Sequence, residues 1–185
     1  MDKQFDREKV IKAVEDLLSA MGEDTQREGL KDTPRRVADA LAEFVSGEGK
    51  GAEEHLSKTF EAQCGDLVLE KDIAFSSTCE HHLMPFFGKI AIAYIPNGRV
   101  VGLSKLARTV EVFSKRLQLQ ERLTSQIAEE IMRCLTPKGV MVVCEAEHTC
   151  MTCRGIKKAG SKTISYSISG SFPEEKKREV LSLLK

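Results

Sequence analysis

Four consecutive positions, Cys79-Glu80-His81-His82, put a thiol, a carboxylate and two imidazoles side by side within the stretch STCEHHLMP. Half of the chain's four histidines are here. Such a cluster is costly to bury, and it suits metal binding, acid–base chemistry or both. Cys79 and His82 have the Cys-x-x-His spacing common in zinc sites. Thiolate and imidazole suit Zn2+ better than Mg2+ or Ca2+, which prefer oxygen. A second cluster, EHTCMTCRG, carries His148, Cys150 and Cys153. On an extended backbone His148 and Cys150 would share one face. Cys79, His82, Cys150 and Cys153 together would make a closed, structural Cys3His site. Without Cys153, one position stays open, as catalysis requires. Spacing alone leaves both arrangements standing. In the open one, His81 and His148 remain unligated near the metal, and groups that titrate near neutral pH can move protons there. A Cys150-x-x-Cys153 redox pair is disfavoured because no parallel βαβ pattern surrounds it.

Two further groups could meet an anionic or polar ligand. GLSKLAR places Ser104, Lys105 and Arg108 at the start of a helix, with Lys105 and Arg108 three apart on one face. A helix N-terminus favours anions, so basic side chains there suggest a phosphate clamp, with Arg154 and Lys157 as further candidates. The alternative is an ordinary solvated basic face. QLQERLT places Gln120 and Glu121 at the next helix start. By itself Glu121 reads as a dipole partner. Glu80 reads as a solvated or supporting carboxylate, and Cys64, Cys134 and Cys144 as apolar positions.

The elements that must carry these groups follow from periodicity. Val10, Val14, Leu17, Leu18 and Met21 form a helical stripe over 6–21, with Asp6 as N-cap and Gly22 as its stop. Thr33 is expected to cap a second helix with Pro34 at its first position, and Val37, Leu41, Phe44 and Val45 as its stripe. These two helices are expected to form a hairpin over 1–50. A Gly- and charge-rich hinge, SGEGKGAEEHLSK, leads into a main domain at 51–185. Strands are expected at 66–78, 88–95, 139–146 and 162–169. Between them lie a helix capped by Ser104 and another over about 120–135, and Pro173 opens a last helix. The order α-α, β-β, α-α, β-β, α predicts an α+β domain: a four-stranded antiparallel sheet with two helices on one face. Its two open edges predict an oligomer.

Composition narrows the function. Lys plus Arg and Asp plus Glu are each 28, and there is no Trp, so nothing points to nucleic acid or an anionic membrane. The N-terminal stretch has no apolar core of a secretory signal, and no apolar run approaches a membrane span. A cytoplasmic protein with reduced thiols is expected.

The motifs STCEHH, GLSKLAR, QERLT and EHTCMTCRG, in this order, together with GED…REGL…DTPRRV near the N-terminus, resemble GTP cyclohydrolase I. The resemblance runs from about residue 8 to 170. It implies hydrolysis of GTP to formate and 7,8-dihydroneopterin triphosphate. It also implies a tunnelling fold whose sheets join between subunits into a pentameric barrel, with two barrels stacked into a decamer. It implies Zn2+ held by Cys79, His82 and Cys150, activating water for attack at C8 of the purine. His81 and His148 match the catalytic histidines. Gln120 and Glu121 match the guanine site. Lys105, Arg108 and Arg154 match the triphosphate contacts with Ser104 beside them, and Arg36 is expected from a neighbouring subunit. Cys153 departs from the family's usual pattern and would close the open position if it bound the metal. The competing reading is a non-catalytic protein with a structural Cys3His zinc site. Tunnelling-fold nitrile reduction, which uses a cysteine nucleophile without zinc, is opposed by the Cys-x-x-His pair.

Overall fold

Asp6 opens the first helix, α1 (Arg7–Ala20), by accepting a hydrogen bond from the Lys9 backbone N–H at 3.1 Å. Gly22, at φ +84°, ends it in the left-handed region that glycine enters without strain. The computed structural model describes residues 5–62 and 65–185, so Cys64 lies outside the described residues. These fall into two units, one ending at Ser46 and one beginning at Gly47. In the first unit α1 packs against α2 (Thr33–Phe44). Val14 and Ala38 are buried apolar residues of the pair, and Arg7 Nε donates to Asp39 Oδ1 at 2.8 Å. The N-cap of α2 is Asp32, one residue before the expected Thr33, because Thr33 already has helical backbone and Pro34 follows it in the first turn.

The second unit is built on a five-stranded sheet of order β5-β2-β3-β6-β7. Its long members are β2 (Val68–Cys79), β3 (Pro85–Ile95), β6 (Gly139–His148) and β7 (Lys162–Gly170), each antiparallel to its neighbours among these four. The expected four-stranded antiparallel sheet is thus its centre. It is widened by the two-residue β5 (Leu117–Gln118), which runs parallel to the end of β2. Further short elements surround it: α3 (Glu53–Leu56), a β1–β4 pair (Thr59–Glu61 with Arg99–Val101) and the single turn α6 (Thr149–Thr152). Gly88 is required in β3, since a Cβ there would lie 2.0 Å from the Glu145 carbonyl oxygen on β6.

Alternation along the strands divides the apolar residues between two faces. Phe75, Ile90, Ile92, Tyr94, Val140, Val142 and Cys144 share one core cluster with Leu106, Val110 and Phe113 of α4 (Leu103–Ser114) and Leu123, Ile127 and Ile131 of α5 (Gln120–Leu135). Each fully buried aliphatic side chain there contributes about 1.5–3 kcal/mol. On the other face Ala91, Ala93, Met141 and Val143 cluster with Val180 of α7 (Glu174–Leu183). Ile164, Tyr166 and Ile168 on the edge strand β7 stay exposed.

Candidate metal centre and active site

Cys79 is the last residue of β2, and the chain turns sharply after it. Leu83 N–H donates to the Cys79 carbonyl at 2.9 Å, and Cys79 N–H donates to the Met84 carbonyl at 2.9 Å. Leu83 takes φ +54° to close this turn, a conformation costly for a side chain of its size. The turn brings His82 back toward Cys79, while the chain re-enters the sheet as β3. On the far side of β3, strand β6 ends at His148, and Cys150 follows within α6. The Sγ atoms of Cys79 and Cys150 and a ring nitrogen of His82 lie within 4.8 Å of one another. Residues 148 and 150 do not share a strand face, as the sequence suggested. A helical turn after His148 carries Cys150 to the metal-ligand group instead.

The donors suit a divalent, borderline-soft cation. Cys79 is buried and Cys150 half-buried, and burial together with the neighbouring Cys79 sulfur pushes the Cys150 thiol up. Two sulfurs this close resist ionising together, and a cation between them removes that penalty. Cys153 is exposed, and its thiol donates to the Thr149 carbonyl at 2.7 Å. Among the described residues it is not part of the group within metal-sharing distance.

The turn is fastened from outside. Glu80 forms an ion pair with Arg122 of α5. Arg122 also donates to Gln118 Oε1 at 3.0 Å and to the Leu117 carbonyl at 2.7 Å. Gln118 is itself buried and donates to the Phe113 carbonyl at 2.9 Å. Glu80, which reads in the sequence as a solvated or supporting carboxylate, has its partner in the first turn of α5, beyond α4, and no local pattern pairs the two.

His148 is held on two sides. Its ring stacks on Phe86, with centroids 4.7 Å apart and planes at 2°, and the two residues face each other across the β3–β6 pair. Its Nε2 lies 2.8 Å from Gln120 Oε1. Gln120 is fully buried at the first position of α5 and also donates to the Cys144 and Thr163 carbonyls at 3.1 and 3.0 Å. Burial holds the His148 imidazolium below its ordinary range, while the Glu121 carboxylate pulls the other way. Glu121 itself is exposed. His81 is exposed, its ring edge-on to His82 at 6.2 Å.

The remaining candidates lie as follows. Gly102, not Ser104, is the N-cap of α4, because the helix begins at Leu103. Ser104 and Arg108 are exposed and Lys105 is half-buried on its first two turns. Arg154 and Lys157 are exposed in the loop after α6, with Lys157 at φ +48°. Arg36, in the first unit, is exposed and lies 3.5 Å from Asp32.

An antiparallel sheet that gathers two cysteines and a histidine around one point, with a further histidine held at the end of the adjoining strand, defines an α+β protein with a group that could hold a metal ion. The comparisons narrow it further. The family model for GTP cyclohydrolase I matches residues 10–185. GTP cyclohydrolase 1 of Clostridium perfringens strain 13 is 60% identical over 171 residues, 92% of each chain. That of Clostridium kluyveri strain DSM 555 is 57% identical over 183 residues, 98% of this chain and 99% of the relative. That of Pelotomaculum thermopropionicum is 55% identical over 184 residues, 98% of both. A solved structure of the archaeosine synthase QueF-Like in the apo form aligns with 60% of this chain at 20% identity and a TM-score of 0.45. The chain belongs to the GTP cyclohydrolase I family. Among the described residues no helix is long and apolar enough to cross a membrane.

Proposed function

We propose that this chain hydrolyses GTP at C8 of the purine, releasing formate and forming 7,8-dihydroneopterin triphosphate. The observation that carries the reading is the three-donor group of Cys79, His82 and Cys150, with the Cys153 thiol engaged by the Thr149 carbonyl. Those three residues would hold Zn2+. Bound there, the ion supplies Lewis acidity and lowers the pKa of water to about 7. His148, kept neutral by burial, accepts a proton from the reacting water and returns it to the opening imidazole ring. His81, exposed on the ligand turn, is a second proton-transfer group. Glu121 accepts N–H bonds from the guanine edge. Lys105, Arg108 and Arg154, with Ser104, take the triphosphate.

The same reading covers the assembly. The free edge of β7 and its exposed Ile164, Tyr166 and Ile168 support sheets joined between subunits, as a barrel of five and a stacked decamer. In that assembly Arg36 reaches a neighbouring subunit's site, residues 1–50 form a helical hairpin and 51–185 the tunnelling-fold domain. The balanced charge supports a cytoplasmic enzyme with no nucleic-acid or membrane partner.

Metal analysis joined to incubation with GTP tests this. About one zinc per chain and an oxidisable product with pterin fluorescence are expected. A protein holding one zinc that leaves GTP intact would instead be the Cys3His-type structural metalloprotein.

A further inference from the structure

We propose that Gln120 is a positioning residue that fixes His148 as its Nε2–H tautomer, so that Nδ1 is the ring nitrogen that carries the lone pair. The argument starts from the amide, whose two ends are told apart only by their partners. One end faces the Cys144 and Thr163 carbonyls at 3.1 and 3.0 Å. Carbonyl oxygens accept and never donate, so that end is the NH2 group, and both its protons are used. The other end is then the carbonyl oxygen, and it lies 2.8 Å from His148 Nε2. An oxygen there requires a proton on Nε2. A flipped amide would set its oxygen against the Cys144 and Thr163 carbonyls, two acceptor–acceptor contacts in a buried site, while its NH2 could still donate to an unprotonated Nε2.

The anchors of this amide are rigid. Cys144 lies within β6 and Thr163 within β7, and Gln120 is fully buried where α5 begins. Phe86 fixes the plane of the imidazole from its face, and Gln120 fixes its rotation from its edge. The ring cannot turn over without breaking the stack or the hydrogen bond. With Nε2–H held by Gln120, the lone pair of the neutral ring is on Nδ1.

This separates two neighbouring residues that the sequence grouped together. Gln120 points inward with its amide saturated, and Glu121 stays exposed. Guanine recognition then falls to Glu121, and Gln120 acts on the proton-transfer step through His148. The inference rests on the proposed hydrolysis for its kinetic consequence but not for its tautomer.

The test uses the full-length, zinc-loaded protein with 15N-labelled histidine, and the variants Gln120→Met and Gln120→Glu. Solid-state NMR at a pH where the imidazole is neutral reads the tautomer without substrate. His148 is expected to carry its proton on Nε2 in the parent protein and to lose that preference in Gln120→Met. With GTP, Gln120→Met is expected to lose about 10–100-fold in kcat, with KM within about twofold and zinc content unchanged. Gln120→Glu, protonated in this buried site, can accept from Nε2–H and donate to one carbonyl, so it is expected to regain most of that loss. A proton on Nδ1 in the parent protein overturns the proposal, even if Gln120→Met fails to fold. A loss carried by KM overturns it too, and so does a Gln120→Glu no better than Gln120→Met. Should the parent protein leave GTP unchanged, the hydrolase reading falls, while the NMR result still decides the tautomer.

Discussion

Phe86 and His148 lie ring against ring, 4.7 Å between centroids and 2° from parallel, at opposed positions of β3 and β6. Phe86 is fully buried and also meets Phe75 edge-on at 5.8 Å. The catalytic candidate is therefore packed onto the core itself. Phe86→Leu keeps an apolar side chain but loses volume and the flat surface. It is expected to cost about 1–3 kcal/mol of stability, from a small cavity and the lost ring contacts. Turnover should fall by a larger factor than that stability loss explains. Urea unfolding and steady-state kinetics on the same preparations check this. Equal turnover would show that the stack is packing alone.

His148→Ala and Cys150→Ser separate proton transfer from metal binding. The first is expected to abolish turnover and keep the metal, since His148 is outside the donor group. The second is expected to lose the metal, because hydroxyl oxygen is a poor substitute for thiolate on zinc. Zinc content by elemental analysis, measured beside activity, distinguishes them. Loss of zinc from His148→Ala would remove its assigned role.

Much of this arrangement was legible in the sequence. The four long strands and α4 and α5 follow a strong period, and Cys79, His82 and Cys150 stand out by residue type alone. What was hidden depends on non-local contact. The strands β1, β4 and β5 are two or three residues long, too short to show a period, and exist because a distant partner supplies their hydrogen bonds. The turn α6 replaced an extended reading of residues 148–150 for a similar reason. In the sequence Gln120 is only a polar residue at a helix start, matched by resemblance to the guanine site. Its burial became affordable only through carbonyls of Cys144 and Thr163, which no local pattern announces.

Arg122→Ala removes the ion pair to Glu80 and two further bonds that brace the ligand turn. Zinc affinity is expected to weaken about 10–100-fold, the usual effect of removing a group that orients metal ligands. Competition against a chromophoric chelator measures it. Unchanged affinity would mean that the turn holds its shape without Arg122.

Cys144 and Cys153 should differ sharply in chemistry. Burial pushes the Cys144 thiol up to about 12, while Cys153 is exposed. Iodoacetamide at pH 8 is expected to label Cys153 and spare Cys144 in the folded protein, as read by peptide mass spectrometry. The raised value also has a stability consequence. Above the ordinary thiol range the unfolded chain loses this proton while the folded protein keeps it. Stability is therefore full below about pH 9 and declines as pH rises toward 12, by about 1.4 kcal/mol per unit for this group. Cys144→Ala should show a shallower decline in urea midpoint between pH 8 and 10.

Glu121→Gln keeps size but replaces an acceptor-only group by one that also donates. KM for GTP is expected to rise at least tenfold, with inosine triphosphate, which lacks the exocyclic amine, penalised less. Equal effects on both nucleotides would place Glu121 away from the base.

Cys79 and His82 leave the ribosome long before Cys150 does. A nascent chain holding only the first two lacks the third member of the group. Only when β6 has been made and laid beside β3 does a competent cradle exist. Under the zinc reading proposed above, metal loading waits until β6 is in place.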